Sequence, residues 1–219
     1  MFEIDLMDKY PKSERSEILD ERIQVSEEER KIAQKFDWEY FDGDRRMGLG
    51  GYHYDGKYFK PVVQRMIEYY GLTSKSRILD VGCAKGFMLH DFVEALPGIA
   101  VSGVDISDYC LENAMPSVAP YLQHASCDAL PYEDDSFDLV ISIATIHNLD
   151  VDGVKQSLRE IMRVGNGQAF IKVNGYRNQY ECDQLNNWNL VAKTILHVDE
   201  WKEIFSEVGY TGDYYWFLP

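Results

Sequence analysis

Apolar runs of strand length alternate with helix-like stretches from residue 77 onward, and this alternation restricts the fold more than any other feature of the chain. Strands that alternate with helices predict a doubly wound, mostly parallel α/β sheet with helices on both faces. Ligands of such sheets bind where the strands end at the carboxyl edge, so we expect the functional site there. The strand-length runs lie at residues 77–81, 100–106, 123–127, 137–144, 169–173 and 210–217.

The first 56 residues differ from the rest because they carry dense charge and show only weak apolar periodicity. Ser26 followed by Glu29 has the pattern of a capping box, which predicts a helix start. Three glycines within residues 48–51 predict a flexible joint, since glycine adopts backbone angles that other residues avoid. We therefore expect residues 1–56 to form a mobile helical cap and residues 57–219 to form the α/β domain.

Proline, glycine and acidic residues predict the helix boundaries inside the domain. Pro61 is typical of a first helical turn, and Gly71 of a helix end. Asp199 predicts the N-cap of the last helix, which Gly209 should end.

A short turn at residues 82–86 follows the first apolar run and leads into a helix. Its small residues allow a ligand to lie close to the backbone. Asp80, at the end of the preceding strand, would repel a dinucleotide pyrophosphate. The same carboxylate suits a ligand that carries an ammonium and a sulfonium group, and S-adenosylmethionine carries both.

Two further carboxylates end the next two predicted strands. Asp105 stands where a carboxylate can accept hydrogen bonds from both hydroxyls of a ribose. Asp128 stands where a carboxylate can accept a hydrogen bond from an adenine amino group. Together with Asp80, these residues predict a site that holds a nucleoside with a positively charged tail.

Four stretches resemble class I methyltransferases: residues 78–86, 104–107, 128–131 and 136–142. They occur in the order and at the spacing of that family, although Ala84 stands where the family most often has glycine. The resemblance implies a Rossmann-like fold and S-adenosylmethionine as cofactor. The residues predicted to bind the cofactor are Asp80, Gly82, Cys83, Gly86, Asp105, Ile106, Asp128, Ala129, Ile143 and Tyr54.

Two features of related enzymes are not evident in the sequence. The family's last, antiparallel strand is hard to find after the run at 210–217, so its presence stays open. The magnesium-binding acidic set of catechol-type methyltransferases is also missing, and we therefore expect that no metal is required.

Two histidines are candidates for the base that would remove a proton from an acceptor hydroxyl. His147 follows the strand at 137–144, where it would face the sulfonium, and its unperturbed pKa suits the role. His53, just after the glycine joint, is the second candidate. Each has a structural alternative, because His147 could pack the turn and the aromatic residues around His53 could anchor the cap.

The acceptor is less well defined by the sequence. Residues 174–193 form a polar and aromatic stretch that predicts either an acceptor-binding insertion or a surface loop; it contains Tyr176, Arg177, Tyr180 and Trp188. The segment at 50–56 resembles that of small bacterial methyltransferases that act on sugars or other precursors of surface polysaccharides. This resemblance implies a small polar acceptor and favours oxygen over nitrogen as the acceptor atom.

Charge and composition limit the partners. The chain carries 22 basic and 37 acidic residues, a net charge of −15, which opposes binding to nucleic acid. No stretch approaches the ~20 apolar residues of a membrane span. The four cysteines lack CxxC spacing and fit free thiols in a reducing compartment. We expect a cytoplasmic monomer or homodimer whose partner is a small-molecule acceptor.

Two other functions remain as alternatives at this point. A nicotinamide-dependent oxidoreductase would have a Gly-x-Gly-x-x-Gly turn, which Gly82 and Gly86 do not fit. A non-catalytic S-adenosylmethionine-binding partner subunit would carry the same motifs as an enzyme, and only turnover would distinguish the two.

Overall fold

The computed structural model describes residues 1–11 and 21–218, so residues 12–20 of the predicted cap and residue 219 lie outside the described residues. The strands are β1 (Arg77–Val81), β2 (Ala100–Asp105), β3 (Leu122–His124), β4 (Leu139–Ile143), β5 (Ala169–Tyr176), β6 (Leu196–His197) and β7 (Asp213–Phe217). They form one seven-stranded sheet in the order β3-β2-β1-β4-β5-β6, with β7 also paired to β5. The predicted mostly parallel α/β class is confirmed.

Eight α-helices accompany these strands in the described residues. They are α1 (Glu27–Ala33), α2 (Trp38–Phe41), α3 (Gly56–Tyr70), α4 (Phe87–Ala95), α5 (Asp108–Glu112), α6 (Val151–Val164), α7 (Gln179–Trp188) and α8 (Val198–Val208). None of the helices within the described part of the chain combines the length and apolar character that crossing a membrane requires.

Two apolar clusters cover the two faces of the sheet. Ile78 and Leu79 are neighbours in β1 but belong to different clusters, as expected because successive strand residues point to opposite faces. One cluster packs Phe92 of α4 against the sheet, and the other packs Trp201 of α8. Fully burying a large apolar side chain contributes about 1.5–3 kcal/mol. The helices on both faces thereby hold the carboxyl edge of the sheet in place.

The sheet ends differently from the expected pattern. β7 lies directly beside β5 in parallel register, with Phe170 opposite Asp213. Its other side is covered by the N-terminal residues, because Glu3 forms a parallel bridge with Tyr214. All strand pairings in the described ranges are parallel, so the family's last antiparallel strand is not among them.

Several predicted boundaries are wrong by a few residues. Helix α3 begins at Gly56 because the carboxylate of Asp55 accepts a hydrogen bond from the Lys57 N–H, which leaves Pro61 inside the helix. Helix α8 is capped by His197 rather than by Asp199. In place of a loop insertion at 174–193, β5 continues to Tyr176 and α7 follows.

The start of helix α1 was correctly predicted. Ser26 and Glu29 form both hydrogen bonds of a capping box at the start of α1. Strand β3, by contrast, ends at His124, three residues before the predicted end at Cys127. The chain after β3 therefore turns across the carboxyl edge of the sheet earlier than the sequence predicts.

Candidate active site

A cavity of about 420 Å³ lies at the carboxyl ends of β1, β2 and β4, and we name it the cofactor cavity. The cap forms one wall with Gln34, Phe36, Tyr40, Phe41, Leu49 and Tyr52. The rest of the wall consists of Gly82, Ala84, Val104, Asp105, Ile106, Ala125, Ser126, Cys127, Ile143, Ala144, Thr145, Asn148, Leu149, Val191 and Lys193. The structure therefore places a cavity at the carboxyl edge of the sheet, where the sequence predicted the functional site.

The turn after β1 lies against the end of β4. Gly82 has φ of 82°, and a Cβ atom placed on it would lie 2.0 Å from Oγ1 of Thr145. The backbone N–H groups of Gly82 and Cys83 both donate to the carbonyl oxygen of Val104. Only glycine allows this close approach, so the turn leaves its backbone exposed to the cavity.

Two acidic residues lie at the cofactor cavity, Asp105 in its wall and Asp80 behind it. The carboxylate of Asp105 accepts hydrogen bonds from the N–H groups of Ala84, at 2.7 Å, and Ser107, at 2.9 Å. Burial raises the pKa of Asp105 in spite of these bonds. Burial and the nearby charge of Asp105 raise the pKa of Asp80 to about 7. A positively charged ligand would relieve the repulsion between the two carboxylates, so Asp80 and Asp105 fit S-adenosylmethionine.

Strained backbone is concentrated around this cavity. Four non-glycine residues of the described chain have positive φ, and three of them line the cofactor cavity: Phe36 (53°), Ala84 (47°) and Ala144 (59°). Such conformations cost of order 1–3 kcal/mol each and cluster at functional sites. The positive φ of Ala84 also explains why related enzymes most often have glycine at this position.

The cap is joined to the turn after β1 by buried polar contacts. Lys85 forms an ion pair with Asp42, and the hydroxyl of Tyr109 donates to the same carboxylate. The Ser107 hydroxyl donates to the carbonyl oxygen of Phe36 at 2.6 Å. The cap therefore covers the cofactor cavity in this structure.

A second cavity, of about 660 Å³, adjoins the first, and we name it the acceptor cavity. The residues that line both cavities are Tyr40, Leu49, Tyr52, Ile143, Ala144 and Val191. Its own wall includes residues of the cap, the end of β5 and helix α7: Arg22, Arg45, His53, Tyr54, His147, Lys172, Asn174 and Trp188. The end of β4 therefore contributes to the walls of both cavities.

His147 lies in the wall of the acceptor cavity but is only 1% exposed. Its Nδ1 accepts a hydrogen bond from the N–H of Asn174 at 3.3 Å, which leaves the proton of the neutral ring on Nε2. Burial, with a smaller effect of the Lys172 charge, lowers the pKa of His147 to about 3. The sequence predicted that the pKa of His147 suits a base. This prediction is wrong, because the environment of His147 keeps its ring neutral.

His53 and Tyr54 also line the acceptor cavity. His53 is exposed, and the Tyr54 hydroxyl donates to the carboxylate of Asp91 at 2.5 Å. Tyr54 was predicted to bind the cofactor, but the neighbouring residue Tyr52 is the one that reaches the cofactor cavity. Side chains two positions apart point in different directions here because the segment bends into the start of α3.

The structure brings part of the predicted cofactor set to one place. Gly82, Asp105, Ile106 and Ile143 line the cofactor cavity. Asp80 is 5% exposed and lies behind the wall, where its charge still acts on the site.

The other predicted cofactor residues do not line this cavity. Cys83 is buried in the apolar cluster under α4, and Gly86 is the N-cap of that helix. Asp128 and Ala129 lie beyond the wall because β3 ends early and residues 125–127 reach the cavity first.

Four residues of the acceptor cavity were not predicted from the sequence as site residues, or were indicated there only weakly. Arg22 and Arg45 lie in the cap, where no local pattern distinguishes them from surface charges. Asn174 and Trp188 fall within the stretch 174–193, whose polar and aromatic character was the only signal. Of the aromatic and basic residues noted there, Tyr180 is 72% exposed, and Arg177 pairs with Glu3.

One cluster of potential metal ligands occurs among residues 1–11 and 21–218. His90, Asp91 and Glu94 have ligand atoms within 4.8 Å of one another, outside both cavities. Lys60 already pairs with Glu94, and Tyr54 donates to Asp91. The cluster therefore has internal partners and takes no part in the chemistry considered below.

Comparison with known proteins supports a methyltransferase domain. Residues 78–166 match a family model described as a methyltransferase domain. Over 152 residues the chain is 28% identical to a Haemophilus influenzae protein, covering 64% of this chain and 60% of that protein. Over 144 residues it is 30% identical to the tRNA (carboxymethyluridine(34)-5-O)-methyltransferase of Arabidopsis thaliana, covering 64% of this chain and 33% of that one. The chain spans less than two thirds of the length of these curated relatives.

Solved structures share the fold over about two thirds of this chain. The YcgJ protein from Bacillus subtilis superposes with a TM-score of 0.56 at 21% identity, covering 67% of this chain and 66% of that chain. These matches favour neither the oxidoreductase nor the non-catalytic alternative. The chain therefore has the Rossmann-like fold of class I methyltransferases, with a methyltransferase domain matched at residues 78–166, and this family implies S-adenosylmethionine as the methyl donor.

Proposed function

We propose that this chain transfers the methyl group of S-adenosylmethionine to a hydroxyl oxygen of a small polar acceptor. The observation that carries the proposal is the junction of the two cavities at the end of β4, where Tyr52, Ile143 and Ala144 line both. A donor in one cavity and an acceptor in the other would meet across these residues. Methyl transfer depends mainly on such in-line positioning.

The cofactor cavity supplies groups for the donor. When bound, S-adenosylmethionine supplies an electrophilic methyl group on a sulfonium. In the proposal, Asp105 accepts hydrogen bonds from the ribose hydroxyls, and Asp80 offsets the positive charge of the methionine part. The aromatic side chains of the cap keep water away from the methyl group.

The acceptor proton needs a base, and the two histidines are unequal for this task. A base works best when its pKa lies near the working pH, whereas the pKa of His147 is about 3. We therefore assign the base role to His53. His147, neutral with its proton on Nε2, would donate a hydrogen bond to the acceptor and hold it in position.

The cavity and one relative support the proposed acceptor class. The name of the Arabidopsis relative describes methylation of oxygen on a tRNA nucleoside, which supports oxygen as the acceptor atom. The net charge of −15 disfavours a tRNA substrate for this chain. We propose a sugar, nucleotide sugar or phospho-compound, as in surface polysaccharide biosynthesis, because a cavity of about 660 Å³ suits a molecule of that size.

The proposal is tested by screening pools of sugars, nucleotide sugars and small phospho-compounds for release of S-adenosylhomocysteine. We expect at least one pool to give turnover that Asp105→Ala abolishes and Asp128→Asn leaves intact, because only Asp105 lines the cofactor cavity. If S-adenosylhomocysteine binds but no pool gives turnover above the Asp105→Ala background, the chain is a binding subunit and the proposal is wrong.

A further inference from the structure

Two arginine side chains converge on one peptide group in the wall of the acceptor cavity. Arg22 donates to the carbonyl oxygen of Gly48 through Nη2, and Arg45 donates to the same oxygen through Nη1 at 3.0 Å. The two guanidinium groups are therefore neighbours, although the residues are far apart in sequence. We name them the arginine pair.

The arginine pair has no carboxylate partner among the described residues. Within residues 1–11 and 21–218, neither guanidinium forms an ion pair with a carboxylate. Burial, followed by repulsion from Arg45, lowers the pKa of Arg22 to about 10. The neighbouring Arg46, by contrast, is satisfied by Glu29 at 2.6 Å. Two adjacent like charges without a paired carboxylate in the described ranges are unusual in a chain whose net charge is −15.

Bracing of the glycine turn does not account for the whole arrangement. Carbonyl oxygens of Trp188, Arg45 and Gly48 accept from the terminal nitrogens of Arg22, which fixes the side chain. Yet Arg22 is only 5% exposed, and its Nε has no hydrogen-bond partner within the part of the chain that the structure describes. Carbonyl dipoles hold the guanidinium groups in place but carry no net negative charge, and both arginines line the acceptor cavity.

The surroundings add recognition groups of the same kind. The guanidinium carbon of Arg22 lies 4.3 Å from the ring centre of Trp188, which orients the fork. Asn174 is 1% exposed, and both polar atoms of its side-chain amide lack hydrogen-bond partners among residues 1–11 and 21–218. Buried polar atoms are normally satisfied, so unpaired ones in a cavity wall indicate a polar ligand.

We infer that the acceptor carries an anionic group, a phosphate or a carboxylate, which binds the arginine pair beside Trp188, while the side chain of Asn174 binds a polar group of the same molecule. The inference rests on the proposed function, because it assigns the substrate of the same cavity. Guanidinium groups suit both anions, since their planar donor forks match two oxygens at once. The hydroxyl to be methylated would then lie toward Ile143 and Ala144.

The test uses isothermal titration calorimetry on the full chain saturated with S-adenosylhomocysteine. Glucose 6-phosphate, glucuronate and glucose are titrated at equal ionic strength as a phosphate, a carboxylate and a neutral compound of similar size. We expect at least one anionic compound to bind about 10- to 100-fold more tightly than glucose, the range for a charge-assisted hydrogen bond. The compound that gains affinity distinguishes phosphate from carboxylate.

Three substitutions separate the arginine pair from general charge effects. Arg45→Gln should bring the affinity ratio of charged to neutral compound close to one. Arg45→Lys retains the positive charge and should keep most of the preference for the anion. This variant keeps the test decisive even if the glutamine variant folds poorly. Arg46→Gln is the matched control, since Arg46 precedes the same turn but lies outside the cavity, and it should leave the ratio unchanged.

The outcomes are distinct for the two proposals. Failure of the wild-type chain to bind S-adenosylhomocysteine would contradict the proposed function. The affinities for the anionic and neutral compounds would then be measured on the cofactor-free protein. Normal cofactor binding with no preference for either anionic compound over glucose would overturn the inference. An anionic preference that survives Arg45→Gln, with cofactor affinity intact, would overturn it as well.

Discussion

The ammonium of Lys85 lies 2.5 Å from the carboxylate of Asp42, in a contact whose side chains are only 7% and 10% exposed. Lys85 belongs to the turn after β1, and Asp42 follows helix α2 of the cap. Burial alone would raise the pKa of Asp42, but hydrogen bonds from Lys85 and Tyr109 hold it below its usual value. The pair is therefore the main polar link between the cap and the cofactor cavity.

Replacing Asp42 should loosen the cap. Asp42→Asn leaves the buried Lys85 charge unpaired, which costs about 3–5 kcal/mol in comparable buried pairs. We expect a lower free energy of unfolding in urea and faster hydrogen exchange over residues 21–56. Asp37→Asn serves as the control, because asparagine replaces aspartate well at an N-cap. Unchanged exchange in the Asp42 variant would show that apolar contacts alone hold the cap.

Replacing Asp105 should weaken cofactor binding. Asp105→Ala removes a charged acceptor from the cavity wall, and we expect a loss of roughly 2–4 kcal/mol in the binding of S-adenosylhomocysteine. Calorimetry measures this directly, with Asp128→Asn as the matched carboxylate outside the cavity. An equal dissociation constant in the alanine variant and the wild type would remove Asp105 from the site.

Asp80 should make cofactor binding depend on pH. Its folded pKa of about 7 lies above the usual carboxyl value, so ionisation opposes folding, and stability falls as the pH rises from about 4 to 7. A cationic ligand favours the ionised form. Binding of S-adenosylmethionine should therefore strengthen as the pH rises through 7 and release a proton. Asp80→Asn should flatten both dependences, and identical slopes in the two proteins would contradict this assignment.

The neutral state of His147 should appear in acid unfolding. Because its folded pKa is about 3 and its usual value is near 6.5, the folded protein binds fewer protons than the unfolded chain. Its contribution to stability is complete above pH 6.5 and is lost as the pH falls toward 3. His147→Gln should remove this part of the pH dependence. Denaturant curves at several pH values test it, and parallel profiles would disprove the neutral assignment.

The base role of His53 predicts a kinetic effect. His53→Asn should lower turnover roughly 10²- to 10⁴-fold, because the variant has no side-chain base in the acceptor cavity at this position. Affinity for S-adenosylhomocysteine should stay unchanged, because His53 lines only the acceptor cavity. His124→Asn, exposed and outside both cavities, is the control. Wild-type turnover in the His53 variant would leave positioning, with His147, as the source of the rate.

Local sequence patterns predicted the fold because each depends on neighbouring residues. The alternation of strands and helices, the turn at 82–86 and the position of Asp105 all follow from periodicity and spacing, and the structure places them as expected. Boundaries were less accurate where two signals competed. Helix α3 begins after its N-cap Asp55, and not at a first turn that contains Pro61. Helix α8 is capped by His197 in a capping box with Glu200, and not by Asp199.

The acceptor cavity was largely hidden from the sequence because its walls come from distant segments. Arg22 and Arg45 are far apart in sequence and meet at the carbonyl of Gly48, and Trp188 contacts Arg22 from helix α7. The same limit applies to His147. Its residue type suggested a base, but its pKa depends on complete burial and on Lys172, which no spacing rule reveals.

The bridge between Glu3 and Tyr214 affects the order in which the protein assembles. Phe2 and Asp213 are 211 residues apart, yet the N–H of Phe2 donates to the carboxylate of Asp213 at 2.7 Å. During synthesis the first residues leave the ribosome long before their partner strand exists. They must wait in an unpaired state while the central strands form, and contacts between such distant residues form slowly. The pairing of the N-terminal residues with β7 at this edge of the sheet therefore forms late in folding, after residue 213 has been translated.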